Sequence, residues 1–174
     1  MIADGLKIGL AVFVSAILQV AVFSDVDILG GTPDLLLVTL VAVSLLRGSI
    51  AGALAGFFGG LIIDTATLEI LGLTSLLLTL VGYWVGRYGE TTGRDRTHAP
   101  FLAVVVVTFG FALGALALRF VLGEPAPARD VLLDTLLQGI VLNLVLTLPV
   151  YAVIRRLLPP RGRGARSEGL PALG

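Results

Sequence analysis

The stretch PDLLLVTLVAVSLLRGSIAGALAGFFGGLIID, residues 33–64, determines the fold class of this chain. It holds two apolar runs that are separated only by Arg47, Gly48 and Ser49. Fusing the runs into one kinked span would place Arg47 near the bilayer centre, at a cost of about 2.5–3.5 kcal/mol. A re-entrant pair would bury the same charge. The stretch therefore predicts two transmembrane helices joined by a tight turn at Arg47.

The rest of the chain repeats this apolar pattern. Its mean hydropathy is +1.01 and only 14% of its residues are charged, against about 25% in soluble domains. We predict an all-α fold, a polytopic integral membrane protein with six transmembrane helices in residues 1–158. Residues 159–174, rich in Pro, Gly and Arg, are predicted to be a disordered cytoplasmic tail. The predicted spans are about 6–24, 28–46, 49–68, 68–86, 101–122 and 131–154.

The distribution of basic residues predicts the orientation. Lys and Arg concentrate on the cytoplasmic side of membrane proteins, and six spans bring most of them to one side. Both termini are then cytoplasmic. A cleaved signal peptide is the alternative for the first run, but Asp4 beside Lys7 and the lack of a clear cleavage site favour an uncleaved span. The residues assigned to the cytoplasmic side are Lys7, Arg47, Arg87, Arg94, Arg96, Arg155, Arg156, Arg161, Arg163 and Arg166.

Glycines at intervals of four mark three of the predicted spans. Small residues at this spacing form one face of a helix, which lets a neighbouring backbone approach closely. Two interpretations follow: close packing within the bundle, or a docking face for a helix of another protein. The glycines concerned are Gly48, Gly52, Gly56, Gly60, Gly82, Gly86, Gly110 and Gly114.

Span six carries polar residues that a lipid environment penalises. Asp134 and Gln138 share one helix face, and Asn143 and Thr147 share an adjacent one. Such groups need partners. We expect them to form hydrogen bonds inside the bundle, although a transport path would use the same kinds of residue.

Two carboxylates flank the stretch that opens this section. Asp34 follows Pro33 at the start of span two, where the helix dipole favours a negative charge. Asp64 lies at the end of span three, where the dipole opposes it. We expect Asp64 to find a donor, either Arg119 or Arg129 or a group on a partner.

No residue pattern indicates catalysis. The chain has no Cys and one His, His98, so it offers no thiolate or paired-histidine metal site. It has no Gly-rich phosphate loop followed by Lys and Ser or Thr. Its net charge of zero gives no indication of nucleic-acid binding. We predict that it is not an enzyme and has no catalytic, cofactor-binding or metal-binding residues.

The order of these elements resembles a known family. A Pro-Asp span start, the Leu46-Arg47-Gly48 turn, a Gly-rich span that ends in Asp64, and Leu71-Gly72-Leu73 together resemble MreD, the rod shape-determining membrane protein family. The resemblance is chiefly in residues 33–86. Residues 65–70 depart from the small, Ser- and Gly-rich turn that the family pattern suggests. The matched positions are Pro33, Asp34, Arg47, Gly56, Gly60, Asp64 and Gly72.

The resemblance implies a non-enzymatic scaffold of the cell-wall elongation machinery in the bacterial inner (plasma) membrane, which supports rod cell shape. It implies direct binding to MreC, a single-span protein. MreB, RodA and the transpeptidase partner of RodA are the expected further members of the complex, and the lipid bilayer is its environment.

The sequence leaves two alternative functions open. The family fold is similar to the S-component bundle of energy-coupling vitamin transporters, which would make the chain a substrate-capture subunit. Its ligand pocket would lie at the outer face, near Asp34, Asp64, Glu69 and Asp134. A pore or holin-like channel is the third interpretation, but it needs a polar stripe on several spans and only span six has one.

Overall fold

The computed structural model describes residues 2–23, 32–68, 70–92, 99–123 and 129–159, with the side chains of residues 2, 3, 23, 92 and 129–135 outside the description. These residues form six α-helices and no strand, which confirms the all-α prediction. The helix α1 continues directly into a π-helical turn, Gln19–Phe23. The helices are α1 (Ile2–Leu18), α2 (Leu35–Arg47), α3 (Ser49–Thr67), α4 (Leu73–Thr92), α5 (Ala99–Val121) and α6 (Arg129–Leu157).

Four segments in the described residues are long and apolar enough to cross a membrane. The other two helices are α2, which has only 13 residues, and α4, whose last turns carry Arg87 and Glu90. Six spans therefore stay a prediction. The four segments are Asp4–Val22, Ser49–Thr67, Ala99–Val121 and Leu136–Leu157.

The central element is α2. Every residue of α2 from Leu36 to Leu46 is buried. It contacts each of the other five helices. The helix begins at Leu35 rather than at the predicted residue 28, because Pro33 and Asp34 form its start.

The length of α2 has a physical consequence. Thirteen residues span only about 20 Å, whereas the hydrocarbon core is about 30 Å thick. In the predicted topology, which places Arg47 at one membrane surface, the opposite end of α2 would lie inside the core. Irregular backbone at that depth is tolerated only where protein surrounds it. The residues around Asp34 therefore need polar partners from neighbouring helices.

The turn between α3 and α4 is longer than predicted. The predicted spans share residue 68, but α4 starts at Leu73. Leu68 ends α3 in a left-handed conformation with φ of 55°, and Gly72 has φ of 94°, which favours glycine. These two conformations reverse the chain, and α4 then runs antiparallel to α3.

Candidate functional site: buried polar groups and the glycine seam

Three side chains satisfy the N-terminal amides of α2. The Asp34 carboxylate accepts a hydrogen bond from Leu37 N at 2.8 Å. The Asn143 side-chain oxygen accepts from Asp34 N at 2.7 Å, and the Gln19 side-chain oxygen accepts from Leu35 N at 2.6 Å. A helix start leaves its first amides without partners in the helix, so α2 receives acceptors from itself, α6 and the π-helical turn after α1.

The same groups continue as a polar network. Gln19 Nε2 donates to the Pro33 carbonyl at 3.1 Å, and Asn143 Nδ2 donates to Thr108 Oγ1 of α5 at 3.1 Å. The Thr147 hydroxyl donates to the Asn143 carbonyl at 2.6 Å. Asn143 and Thr147 are each only 2% exposed. This network, defined by Gln19, Asp34, Thr108, Asn143 and Thr147, ties four helices together.

Some of these contacts could not be read from the sequence. A helical period relates Asn143 to Thr147 but does not relate either residue to Asp34 on α2. Gln19 was not singled out, although a polar residue near the end of an apolar run is the signal that could have found it. Gln138 is partly buried, and the Asp134 side chain lies outside the described residues.

Asp64 is satisfied by the start of α4. The carboxylate is 1% exposed and accepts hydrogen bonds from Gly72 N at 2.8 Å, Thr74 N at 3.2 Å and Ser75 N at 3.2 Å. These backbone amides are donors that the prediction of an arginine or a partner group did not include, and the side chain of Arg129 lies outside the described residues. The charge that opposes the dipole of α3 lies at the positive end of α4, where it is favoured.

Glu90 forms the matching contact at the opposite end of the same helix pair. It lies near the end of α4 and accepts from Ser49 N at 2.8 Å, at the start of α3. The Ser49 hydroxyl also donates to it at 3.1 Å. The pKa of Glu90 is lowered, chiefly because the carboxylate accepts the Ser49 backbone N–H, with help from the Ser49 hydroxyl and Arg87. Thus α3 and α4 cap each other.

Arg47 is the last residue of α2 and lies two residues before Ser49, where α3 begins. Its side chain is 5% exposed, and its Nη1 lies 3.3 Å from the Asp4 carboxylate of α1. The Nε atom is buried and has no hydrogen-bond partner among the described residues. A buried arginine with one carboxylate partner fixes the start of α1 against the turn between α2 and α3, because separating the pair would leave an isolated buried charge.

Three glycines of α3 face α4 directly. A Cβ at Gly52 would collide with the Gly82 carbonyl, one at Gly56 with the Leu78 carbonyl, and one at Gly60 with the Ser75 backbone. A Cβ at Gly86 would collide with the Ser49 backbone. We call this contact the glycine seam; it is defined by Gly52, Gly56, Gly60, Gly82 and Gly86. Because α4 covers the seam, the seam is not open to a helix of another protein.

The remaining predicted glycines have other surroundings. Gly48 forms the turn between α2 and α3, with φ of 95°. A Cβ at Gly110 would meet nothing within 4 Å, and one at Gly114 would meet only the end of the Leu77 side chain, at 2.8 Å. Gly110 and Gly114 therefore lie outside the seam, although their spacing is the same.

The described residues contain no group of three or more His, Asp or Glu side chains that could hold a metal ion. His98 and Glu69 lie outside the described residues. The side-chain carboxylates and amides described above form hydrogen bonds to helix ends, and the glycine seam packs α3 closely against α4. These contacts hold the helices in place.

Comparison with protein-family models shows which family this chain belongs to. The family model for the rod shape-determining protein MreD matches residues 5–157. This chain belongs to the MreD family. The resemblance inferred from residues 33–86 is confirmed and extends over nearly all the described residues. Comparison with curated proteins and with solved structures gave no match. Membership of the MreD family and the four long apolar segments identify a membrane protein with a role in determining rod shape.

Proposed function

We propose that this MreD-family protein is a non-catalytic scaffold of the cell-wall elongation machinery, which binds MreC directly and thereby supports rod shape. MreB, RodA and the transpeptidase partner of RodA are the other members of the proposed complex. The observation that carries the proposal, beside the family, is how the buried polar groups are used. Asp34, Asp64 and Asn143 each bind the start of a helix.

A scaffold needs a fixed shape, and several contacts favour one. Asp64 and Glu90 hold both ends of the α3 and α4 pair, the glycine seam closes the space between them, and Asn143 joins α6 to the start of α2. Close backbone packing and satisfied polar groups both oppose rearrangement of helices in lipid.

The same contacts weigh against the S-component alternative. That function would use outer carboxylates as ligand contacts, but Asp34 and Asp64 accept hydrogen bonds from the backbone. A ligand that bound either carboxylate would have to compete with an internal helix cap.

We further propose six spans in the bacterial inner membrane, with both termini in the cytoplasm. The chain has no Cys, so single cysteines can report accessibility without background. Thr91 and Thr67 are exposed near opposite ends of the α3 and α4 pair. In intact cells an impermeant thiol reagent should label Thr67→Cys but not Thr91→Cys. The reverse pattern would contradict the orientation.

Partner binding is tested by copurification. The tagged full chain is crosslinked briefly in cells, purified from solubilised membranes and analysed by mass spectrometry, with a tagged unrelated multi-span protein as the control. We expect MreC to be enriched over the control, together with RodA. Recovery of ATPase subunits of a transporter without MreC would contradict the proposal.

A further inference from the structure

An apolar groove lies between α4 and α5. It encloses about 560 Å³ and is lined by aliphatic and aromatic side chains and by Gly110 and Gly114. The two helices are less closely joined here than α3 and α4 are at the glycine seam, because a Cβ at Gly110 would meet no neighbour within 4 Å. The groove is therefore an opening between α4 and α5 on the surface of the bundle.

The groove runs along only part of the bundle. Its lining on α4 extends from Tyr88 to Leu77, a rise of about 16 Å. The hydrocarbon core is about 30 Å thick, so one leaflet contributes about 15 Å. At its inner end the groove narrows where Leu77 approaches Gly114. This length matches one acyl chain in a single leaflet, whereas a helix that crossed the whole core would extend well beyond the groove.

The open end of the groove carries groups that suit a lipid headgroup. Trp84 is 67% exposed, and it and Tyr88 line the groove; both residue types favour the membrane interface. Arg87 does not line the groove itself; it precedes Tyr88 on α4, and its side chain is 59% exposed. Arg87 Nη1 lies 3.5 Å from Glu90 Oε2, whereas Ser49 N donates to Glu90 Oε1 at only 2.8 Å. Arg87 can therefore contact a second anion.

We propose that this groove binds one anionic glycerophospholipid from the leaflet on the Arg87 side. The phosphate contacts Arg87, and an acyl chain passes Trp84 and ends near Gly110. The charge of Arg87 selects the headgroup, and the length of the groove selects an acyl chain rather than a helix. The site does not depend on MreC binding.

The chain offers a direct probe, because Trp84 is its only tryptophan. The full-length protein is reconstituted in phosphatidylcholine vesicles with a small fraction of lipid brominated on its acyl chains. That lipid is either phosphatidylglycerol or phosphatidylcholine. One Lys or Arg near the surface attracts anionic lipid by about 1 kcal/mol, which is about fivefold in binding. We expect brominated phosphatidylglycerol to quench Trp84 with about fivefold higher relative affinity.

Two pairs of variants assign the site. Arg87→Gln should remove the preference, while Arg156→Gln, an exposed arginine at the end of α6, should keep it. Gly110→Leu should fill the groove and reduce quenching by bromines in the middle of the chain. Gly139→Leu is the matched control, because a Cβ at Gly139 also meets nothing within 4 Å.

Three results would overturn the proposal. They are equal quenching of the wild-type protein by the two lipids, a preference that survives Arg87→Gln, and unchanged mid-chain quenching in Gly110→Leu. Loss of quenching when a copurified single-span partner is added would assign the groove to a helix and overturn it as well.

Discussion

Replacing Gly56 with Ala tests whether the glycine seam holds the bundle together. Ala is favoured over Gly in a helix by about 1 kcal/mol, so the change alone should stabilise α3. At Gly56, however, the new methyl group would collide with the backbone of Leu78 and Thr79. Overpacking costs about 1–3 kcal/mol, and backbone cannot rotate away as a flexible side chain can. Because the collision is with backbone, we expect a cost of about 3 kcal/mol, the upper end of that range, and therefore a net loss of about 2 kcal/mol in the free energy of unfolding.

Gly110→Ala is the matched control, because it makes the same chemical change in the middle of a helix where a Cβ meets open space. It should gain about 1 kcal/mol. Both variants can be unfolded by SDS in mixed micelles and followed by the fluorescence of Trp84, which lies on α4. The two variants should differ in sign. A Gly56→Ala variant as stable as the wild type would refute the role of the seam.

Three further predictions concern the polar contacts. Asp64→Ala leaves three amides, two of them buried, without an acceptor and should lower the free energy of unfolding by about 4 kcal/mol. Asp64→Asn keeps one acceptor and should lose about half as much, so equal losses in the same SDS assay would count against the cap. Asn143→Leu removes the acceptor of Asp34 N and should lower the free energy of unfolding by about 2 kcal/mol. Val141→Leu, at an exposed position, is the control and should be neutral. An Asn143→Leu variant as stable as the wild type would contradict the network. Because the pKa of Glu90 is lowered, its cap contributes fully to stability above the ordinary pKa of 4.5, and that contribution is lost as the pH falls below 4.5. Melting curves from about pH 7 to about pH 3.5 should therefore show a loss of stability in the wild type that Glu90→Gln lacks. Identical pH profiles for the two proteins would contradict the cap.

The sequence predicted those features that depend on the pattern of residues within a single helix. The apolar run of residues 35–46 predicted a helix, and the spacing of Gly52, Gly56 and Gly60 predicted a close contact. The sequence could not say which helix covers that face. Gly110 and Gly114 have the same spacing but face a groove, because spacing reports the shape of one helix and not the position of its neighbour.

Asp64 shows a second limit. Its position at the end of a helix indicated a need for donors, and the donors in the structure include three backbone amides, which carry no sequence signature. Those amides become available only after Leu68 and Gly72 reverse the chain and bring the start of α4 beside the end of α3. Glu90 repeats the arrangement at the other end. An antiparallel pair thus turns two unfavourable carboxylates into two caps.

The turn after α1 shows a third limit. The π-helical turn Gln19–Phe23 accompanies the contact of Gln19 with both Pro33 and Leu35. Helical periodicity assumes a constant 3.6 residues per turn, so it cannot anticipate a local change in register. Such changes are found where a side chain has a specific partner.

The central proposal is that this protein supports rod shape by binding MreC, and depletion of the protein in its own bacterium tests it most directly. Cell width and the position of fluorescent MreC are followed by microscopy while the protein is depleted, with re-expression of the wild-type chain as the control. The account predicts that cells become round, that MreC leaves its sites along the lateral wall, and that the wild-type chain restores both. Cells that stay rod-shaped, with MreC in place after the protein is gone, would contradict it.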